Sequence, residues 1–231
     1  MKKISLLSLL VALAVSAGAS AGTENPLYIP DAHRAYSITD VTDEGDFRVR
    51  EHLGYGFSDK FNAGLVFGYS DPENGSHTDK GFDIIGLDLG YRYLSGNIIG
   101  DLLGRYETNL EKDASDYGKF NSYTIGTRLG TIKSDYTLAG RALYTYLDPD
   151  AGGTFNVWQV GFGGLYQFAP KFSGLLDAEY INYDTGNSDD DPVWLTAQLN
   201  FLHRGTYSLY FKTDVSGEAD DVWGLKYGVQ F

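Results

Sequence analysis

The 231-residue chain has no cysteine, a single methionine and only six prolines. Without thiols there is no disulfide and no thiolate metal site, so burial and backbone hydrogen bonding must hold the fold. Positive charge is scarce: 18 Lys and Arg stand against 31 Asp and Glu, for a formal net charge of −13. That balance argues against nucleic acid as a partner. Beyond residue 21, no apolar run approaches the ~20 residues that a membrane helix needs, and no amphipathic helical stretch stands out. Histidine is confined to His33, His52, His77 and His203, and no Gly-x-Ser-x-Gly, His-Glu-x-x-His or phosphate-loop sequence occurs. No catalytic constellation is visible, so neither an enzyme nor a cofactor is expected.

Aromatic residues and glycine are abundant instead, with 18 Tyr, 13 Phe and 29 Gly. The first 21 residues stand apart from this mixture. Lys2 and Lys3 precede an apolar run from Ile4 to Val15, and Ala19-Ser20-Ala21 supplies the small-residue pattern of a cleavage site. Residues 1–21 are therefore expected to be a secretory signal, with the mature chain starting at Gly22 and exported across the inner membrane.

The last twelve residues, DDVWGLKYGVQF, place Trp223, Leu225, Tyr227, Val229 and Phe231 at every second position. A two-residue period marks an extended strand with one apolar face. The same alternation recurs throughout the chain and predicts strands at about 33–42, 47–57, 61–70, 81–94, 98–109, 120–131, 136–147, 155–168, 172–183, 193–203, 206–215 and 221–231. Twelve strands are preferred and ten are the alternative. From the second strand onward, short connections (58–60, 95–97, 132–135, 169–171 and 204–205) alternate with long ones. In a meander of antiparallel neighbours, every second connection lies at the same end. One end thus carries tight turns, and the other carries long loops in which 18 Asp and Glu meet three Lys. The loop DTGNSDDDP (184–192) offers oxygen ligands but lacks the alternation of a calcium loop, and no metal is assigned to it.

Two solvents are possible for the apolar faces. Of 59 apolar-side positions on strands two to twelve, only Glu51 is charged. A charged fraction of 21% would put about 12 there at random. Aromatics gather near strand ends, as at Tyr55, Phe57, Phe61, Tyr144, Tyr146, Phe168 and Phe172. A soluble sandwich would also alternate, but the leader, the even strand count, the loop asymmetry and the terminal phenylalanine favour a membrane wall.

On these features the chain resembles the bacterial outer-membrane β-barrel superfamily over essentially its whole mature length. WGLKYGVQF looks like the C-terminal signature read by barrel-assembly machinery, with Tyr227, Val229 and the terminal Phe231 as its aromatic and apolar positions. The resemblance implies an all-β, up-and-down transmembrane barrel at residues 33–231, preceded by a short segment at 22–32. Its implied partners are outer-membrane lipids, lipopolysaccharide and the assembly machinery. The strand number is similar to that of oligogalacturonate and sialic-acid porins.

Twelve strands lie between barrels filled by their own side chains and those with an open channel. The polar face would carry Arg48, Arg50, Arg92, Arg105, Arg128, Arg141, Lys212 and Lys226 inward, with Asp88, Asp101, Glu107, Asp177 and Glu179. One reading is a narrow channel whose arginines pass small polar or anionic solutes across a transverse field. The other is a closed or adhesin-type barrel whose inner charges pair with one another. Residues 22–32 are long enough to reach into the lumen, which the sequence leaves open.

Overall fold

A computed structural model describes residues 23–43, 46–72, 81–110, 119–150, 153–184, 191–217 and 219–231. The expected leader and most of the acidic loop residues lie outside them. Twelve antiparallel strands follow in order: β1 (Ala35–Asp43), β2 (Asp46–Gly56), β3 (Phe61–Pro72), β4 (Gly81–Leu94), β5 (Ile99–Asn109), β6 (Phe120–Ile132), β7 (Tyr136–Pro149), β8 (Phe155–Ala169), β9 (Phe172–Asp184), β10 (Val193–Leu202), β11 (Thr206–Asp214) and β12 (Val222–Gln230). Each pairs with its sequence neighbours, and β1 pairs with β12, so the sheet closes into a barrel. The twelve expected strands are all present, and the ten-strand alternative is excluded.

Closure is complete to the last residue. The β1–β12 register runs from Tyr36 opposite Gln230 to Asp43 opposite Trp223. Beyond it, the Ala35 amide donates to the Phe231 carbonyl at 2.9 Å and the Phe231 amide donates to Ala35 at 2.8 Å. Prolines keep out of strand interiors, because each removes a ladder donor. Pro72 and Pro149 end β3 and β7, Pro170 and Pro192 sit in connections, and Pro26 and Pro30 precede β1.

Side chains alternate as the period requires. Outward-facing Ile125, Phe162, Leu176 and Leu225 are each about 60–70% exposed, far more than a water-facing surface of large apolar residues tolerates. Ring contacts band both rims of this wall. At the turn end, Phe168 stacks on Phe172 and Phe172 meets Phe201, while Phe201 meets Tyr207 and Tyr207 meets Tyr227. At the loop end, Tyr106 meets Tyr123, Tyr123 meets Tyr146, and Tyr144 lies against Trp158. Two aromatic girdles flanking an apolar band are what a bilayer selects.

Glu51, the one charge among the 59 apolar-side positions read from the sequence, is resolved by the first strand. Tyr36 and Ile38 turn inward, which is why β1 alternates poorly when read as apolar-out. Ser37 and Thr39 face outward in their place. Ser37 Oγ donates to Glu51 Oε1 at 2.6 Å and Thr39 Oγ1 donates to Oε2 at 2.5 Å. Inward, the Tyr36 ring lies flat across β2 and β3. A Cβ on Gly54 would meet the ring at 2.4 Å, and one on Gly64 would meet its hydroxyl at 2.8 Å.

Ile125, mid-strand on β6 and 64% exposed, tests the wall directly. Ile125→Arg is expected to destabilise the barrel by ~2–4 kcal/mol in denaturant unfolding from phospholipid vesicles. A loss below about 1 kcal/mol would mean that hydrocarbon does not meet this face.

Candidate functional site

The polar strand faces line a cavity of about 830 Å³ that runs from residues 23–30 toward Phe120, Leu147 and Tyr183 at the loop end. Its walls carry Arg50 and His52 on β2, Asp88 on β4, Arg105 and Glu107 on β5, Arg141 on β7, Asp177 on β9, and Lys226 on β12. Each of these residues sits on the face that a period of two assigns to the lumen. Thr124, Thr145, Gln159, Thr196 and Gln198 fill the spaces between with neutral donors and acceptors.

These charges meet locally. The Arg105 guanidinium donates to Asp88, and Asp88 Oδ2 lies 2.9 Å from His52 Nδ1. Glu107 sits between Arg50 and Arg105, at 3.6 and 3.8 Å. Arg141 crosses β8 to reach β9, donating through Nη1 and Nη2 to both Asp177 oxygens at 2.7 Å and through Nη2 to Glu179 at 3.0 Å. That crossing depends on two glycines. A Cβ on Gly161 would strike the Arg141 guanidinium at 2.7 Å, and one on Gly163 would strike Asp177 at 2.4 Å. Lys226 pairs with Asp40 at 3.4 Å, and Lys212 lies 4.2 Å over the Trp194 ring.

The lining is accordingly mixed rather than one-signed. Arg50, Arg105, Arg128, Arg141 and Lys226 are matched by Glu24, Asp40, Asp88, Glu107 and Asp177. A transverse field requires separated signs, and here each arginine has a carboxylate beside it. The expected field is therefore replaced by local ion pairs, because long guanidinium arms reach acids one or two strands away. Arg48, Arg92, Asp101, Glu179 and Lys212 do not line the cavity, although Glu179 touches Arg141. At the loop-side rim, Asp191 accepts from the Tyr180 hydroxyl at 2.7 Å and Asn182 Nδ2 at 2.6 Å. Those donors hold its carboxyl below the usual carboxylate range. Residues 185–190 of that loop lie outside the described residues.

Two arginines of the expected track, Arg92 outside the cavity lining and Arg128 within it, share one buried acid. Arg92 and Arg128 bracket Asp101, which has no exposed surface. Arg92 Nε donates to Asp101 Oδ1 at 2.8 Å and Arg128 Nε donates to Oδ2 at 2.7 Å. Their remaining donors point at the segment before β1, whose path the sequence did not reveal. Arg92 Nη2 donates to the Leu27 carbonyl at 2.6 Å, while Arg128 donates to the carbonyls of Pro26 and Tyr28. Leu27 is fully buried with Ile99 and Ala139. From there the segment spans the bore. Asn25 Nδ2 donates to Thr137 Oγ1 on β7 at 3.0 Å, and Thr206 Oγ1 on β11 donates to Glu24 at 2.6 Å. Tyr28 donates to Gln230 on β12 at 2.8 Å. The cavity's turn-side floor is thus the chain's own residues 23–31.

No protein-family model matches this sequence, and no curated protein does either. Solved structures do match in three dimensions. The NanC porin superposes with a TM-score of 0.60 over 85% of this chain and 98% of that one, at 10% identity. The KdgM porin superposes at 0.57 over 85% and 98%, at 11% identity. In complex with disordered oligogalacturonate it superposes at 0.56 over 86% and 98%, at 10% identity. The fold is that of a closed twelve-stranded barrel of the outer-membrane porin type. At such identity the likeness is one of architecture.

Asp101 is the residue on which the turn-side cluster hangs. Asp101→Ala leaves two guanidiniums without their carboxylate and is expected to cost ~3–5 kcal/mol, the range for breaking a buried ion pair. Asp101→Asn retains hydrogen-bond acceptance and should lose less in the same unfolding measurement. Equal losses would remove charge from the explanation.

Proposed function

We propose that this protein is an outer-membrane channel for small polar solutes, including those that carry a carboxylate. The observation that carries this reading is the polar, 830 Å³ cavity within a closed wall of porin architecture. A structural anchor has no use for such space. Twelve strands enclose more space than the roughly eight whose side chains fill a barrel.

The lining supports this solute class. Arg50, Arg105 and Arg141 face the cavity with donors arranged as forks, the geometry that carboxylates match. Each is paired, so the path offers alternating donors and acceptors rather than a cationic sleeve. Such a lining suits neutral and zwitterionic solutes as well as anions, and gives weak ion selectivity. Export by a leader cleaved before Gly22 fits this role, as does recognition of Tyr227, Val229 and Phe231 by the assembly machinery. So does an acidic outer rim set among lipopolysaccharide phosphates through divalent cations.

Planar-bilayer recording of the refolded mature protein tests the proposal. A measurable, weakly selective current is expected. Arg50→Ala combined with Arg105→Ala should move the reversal potential toward cation preference, because Asp88 and Glu107 lose their partners. If the reversal potential does not move, these arginines do not border the conducting path.

A further inference from the structure

We infer that residues 23–31 are a displaceable plug that gates the turn-side mouth, an inference that rests on the channel reading above. The segment crosses the bore rather than lining it. Thr23 lies so close to Gly228 that a Cβ there would collide with its side chain, and the chain then runs to the β4–β7 wall at Leu27. It returns to β12, where Gln230 accepts from the Asp31 amide at 3.0 Å and donates to the Asp31 carboxylate. His33 then donates its amide to the Gly56 carbonyl at 2.6 Å, and β1 begins at Ala35.

What holds the plug differs from what holds the wall. Every strand is fixed by paired backbone ladders. Among the described residues, the main-chain bonds of 23–31 are local turns, Tyr28 amide to Asn25 carbonyl at 2.8 Å and Arg34 amide to Asp31 carbonyl at 3.2 Å. The contacts across the bore run through side chains: Arg92 and Arg128 to three carbonyls, Asn25 to Thr137, Glu24 to Thr206, and Tyr28 and Asp31 to Gln230. Pro26 and Pro30 remove donors that a ladder would need, so the segment is unsuited to becoming another strand. Its withdrawal therefore costs the barrel no ladder bond.

Withdrawal also changes the lumen's chemistry. The plug's carbonyls of Pro26, Leu27 and Tyr28 occupy donors of Arg92 and Arg128. With the plug out, those donors open onto the bore below Arg105 and continue its arginines to the turn-side mouth. A carboxylate is a stronger acceptor for a guanidinium than a neutral carbonyl. An anionic solute thus competes with the plug for the same two side chains.

The absence of native cysteine makes the test clean. Asn25→Cys combined with Thr137→Cys replaces a pair whose Nδ2 and Oγ1 lie 3.0 Å apart, and oxidation, verified by loss of free thiol, tethers the plug to β7. In planar bilayers the oxidised chain should carry at most one fifth of the reduced chain's current, and reductant should restore it. Deleting residues 23–31 should raise mean current at least twofold over wild type. If a folded deletion variant conducts no better than wild type, or tethering leaves the current unchanged, the gating inference is overturned. If the deletion variant conducts while tethered and reduced chains are equally silent, the segment blocks but does not move, and displacement is overturned. Should the deletion variant not fold, the tethered pair decides alone. Silence of the reduced chain and of a folded deletion variant together would instead overturn the channel reading.

Discussion

An amide or carbonyl left unpaired in hydrocarbon costs several kcal/mol, and no water is at hand to relieve it. A sheet can meet that constraint only by having no edge. Here the requirement is carried by the pairing of β1 with β12, completed by the mutual bonds of Ala35 and Phe231. Much of the remaining architecture follows. Closure of an even number of strands brings both ends of the barrel to the turn side. The residues before Ala35 therefore arrive at that mouth, where the bore is the nearest polar space. The plug's location is a consequence of how the wall closes.

Within the wall, the same alternation that satisfies lipid outside creates a problem inside. Half of each strand's side chains converge on the lumen, where charges of both signs are brought together. The structure answers with local pairs: Arg105 with Asp88, Arg141 with Asp177 and Glu179, and Arg92 and Arg128 on Asp101. Removing one member of such a group leaves its partner charged in a low-dielectric setting, so the groups act as units. Inward glycines are part of this solution. Gly161 and Gly163 clear a lane across β8 along which Arg141 reaches a strand that it does not neighbour. The aromatic–glycine composition thus divides by face: rings largely toward lipid at the rims, glycines where lumenal arms must pass.

The seam strand shows how two faces compromise. β1 spends its apolar residues on the lumen, where Tyr36 covers Gly54 and Gly64, and turns Ser37 and Thr39 outward to Glu51. A carboxylate facing the membrane side is tolerated because hydroxyls on the adjacent strand donate to both of its oxygens. The exception to the outward pattern and the weak alternation of the first strand are one feature seen from two sides.

The sequence alone determined where the strands lie and, from β2 onward, which face of each is apolar, while closure decided between ten and twelve and turned Tyr36 and Ile38 of β1 inward. Boundaries read from it fall within two residues of those observed, and the residues assigned to the lumen keep an inward parity, although Arg48, Arg92, Asp101, Glu179 and Lys212 do not line the cavity. That much is legible because lipid punishes a misplaced charge at every second position, which writes the pattern into the chain many times over. Only the tertiary structure decided which inward residues meet and what stands in the bore. A period of two fixes a side but not the stagger between strands, so the reach of Arg141 to β9 and the shared hold of Arg92 and Arg128 on Asp101 left no linear trace. Whether the segment before β1 enters the lumen was left open for a related reason. Its strongest contacts engage backbone carbonyls, which every residue carries and no sequence pattern can announce.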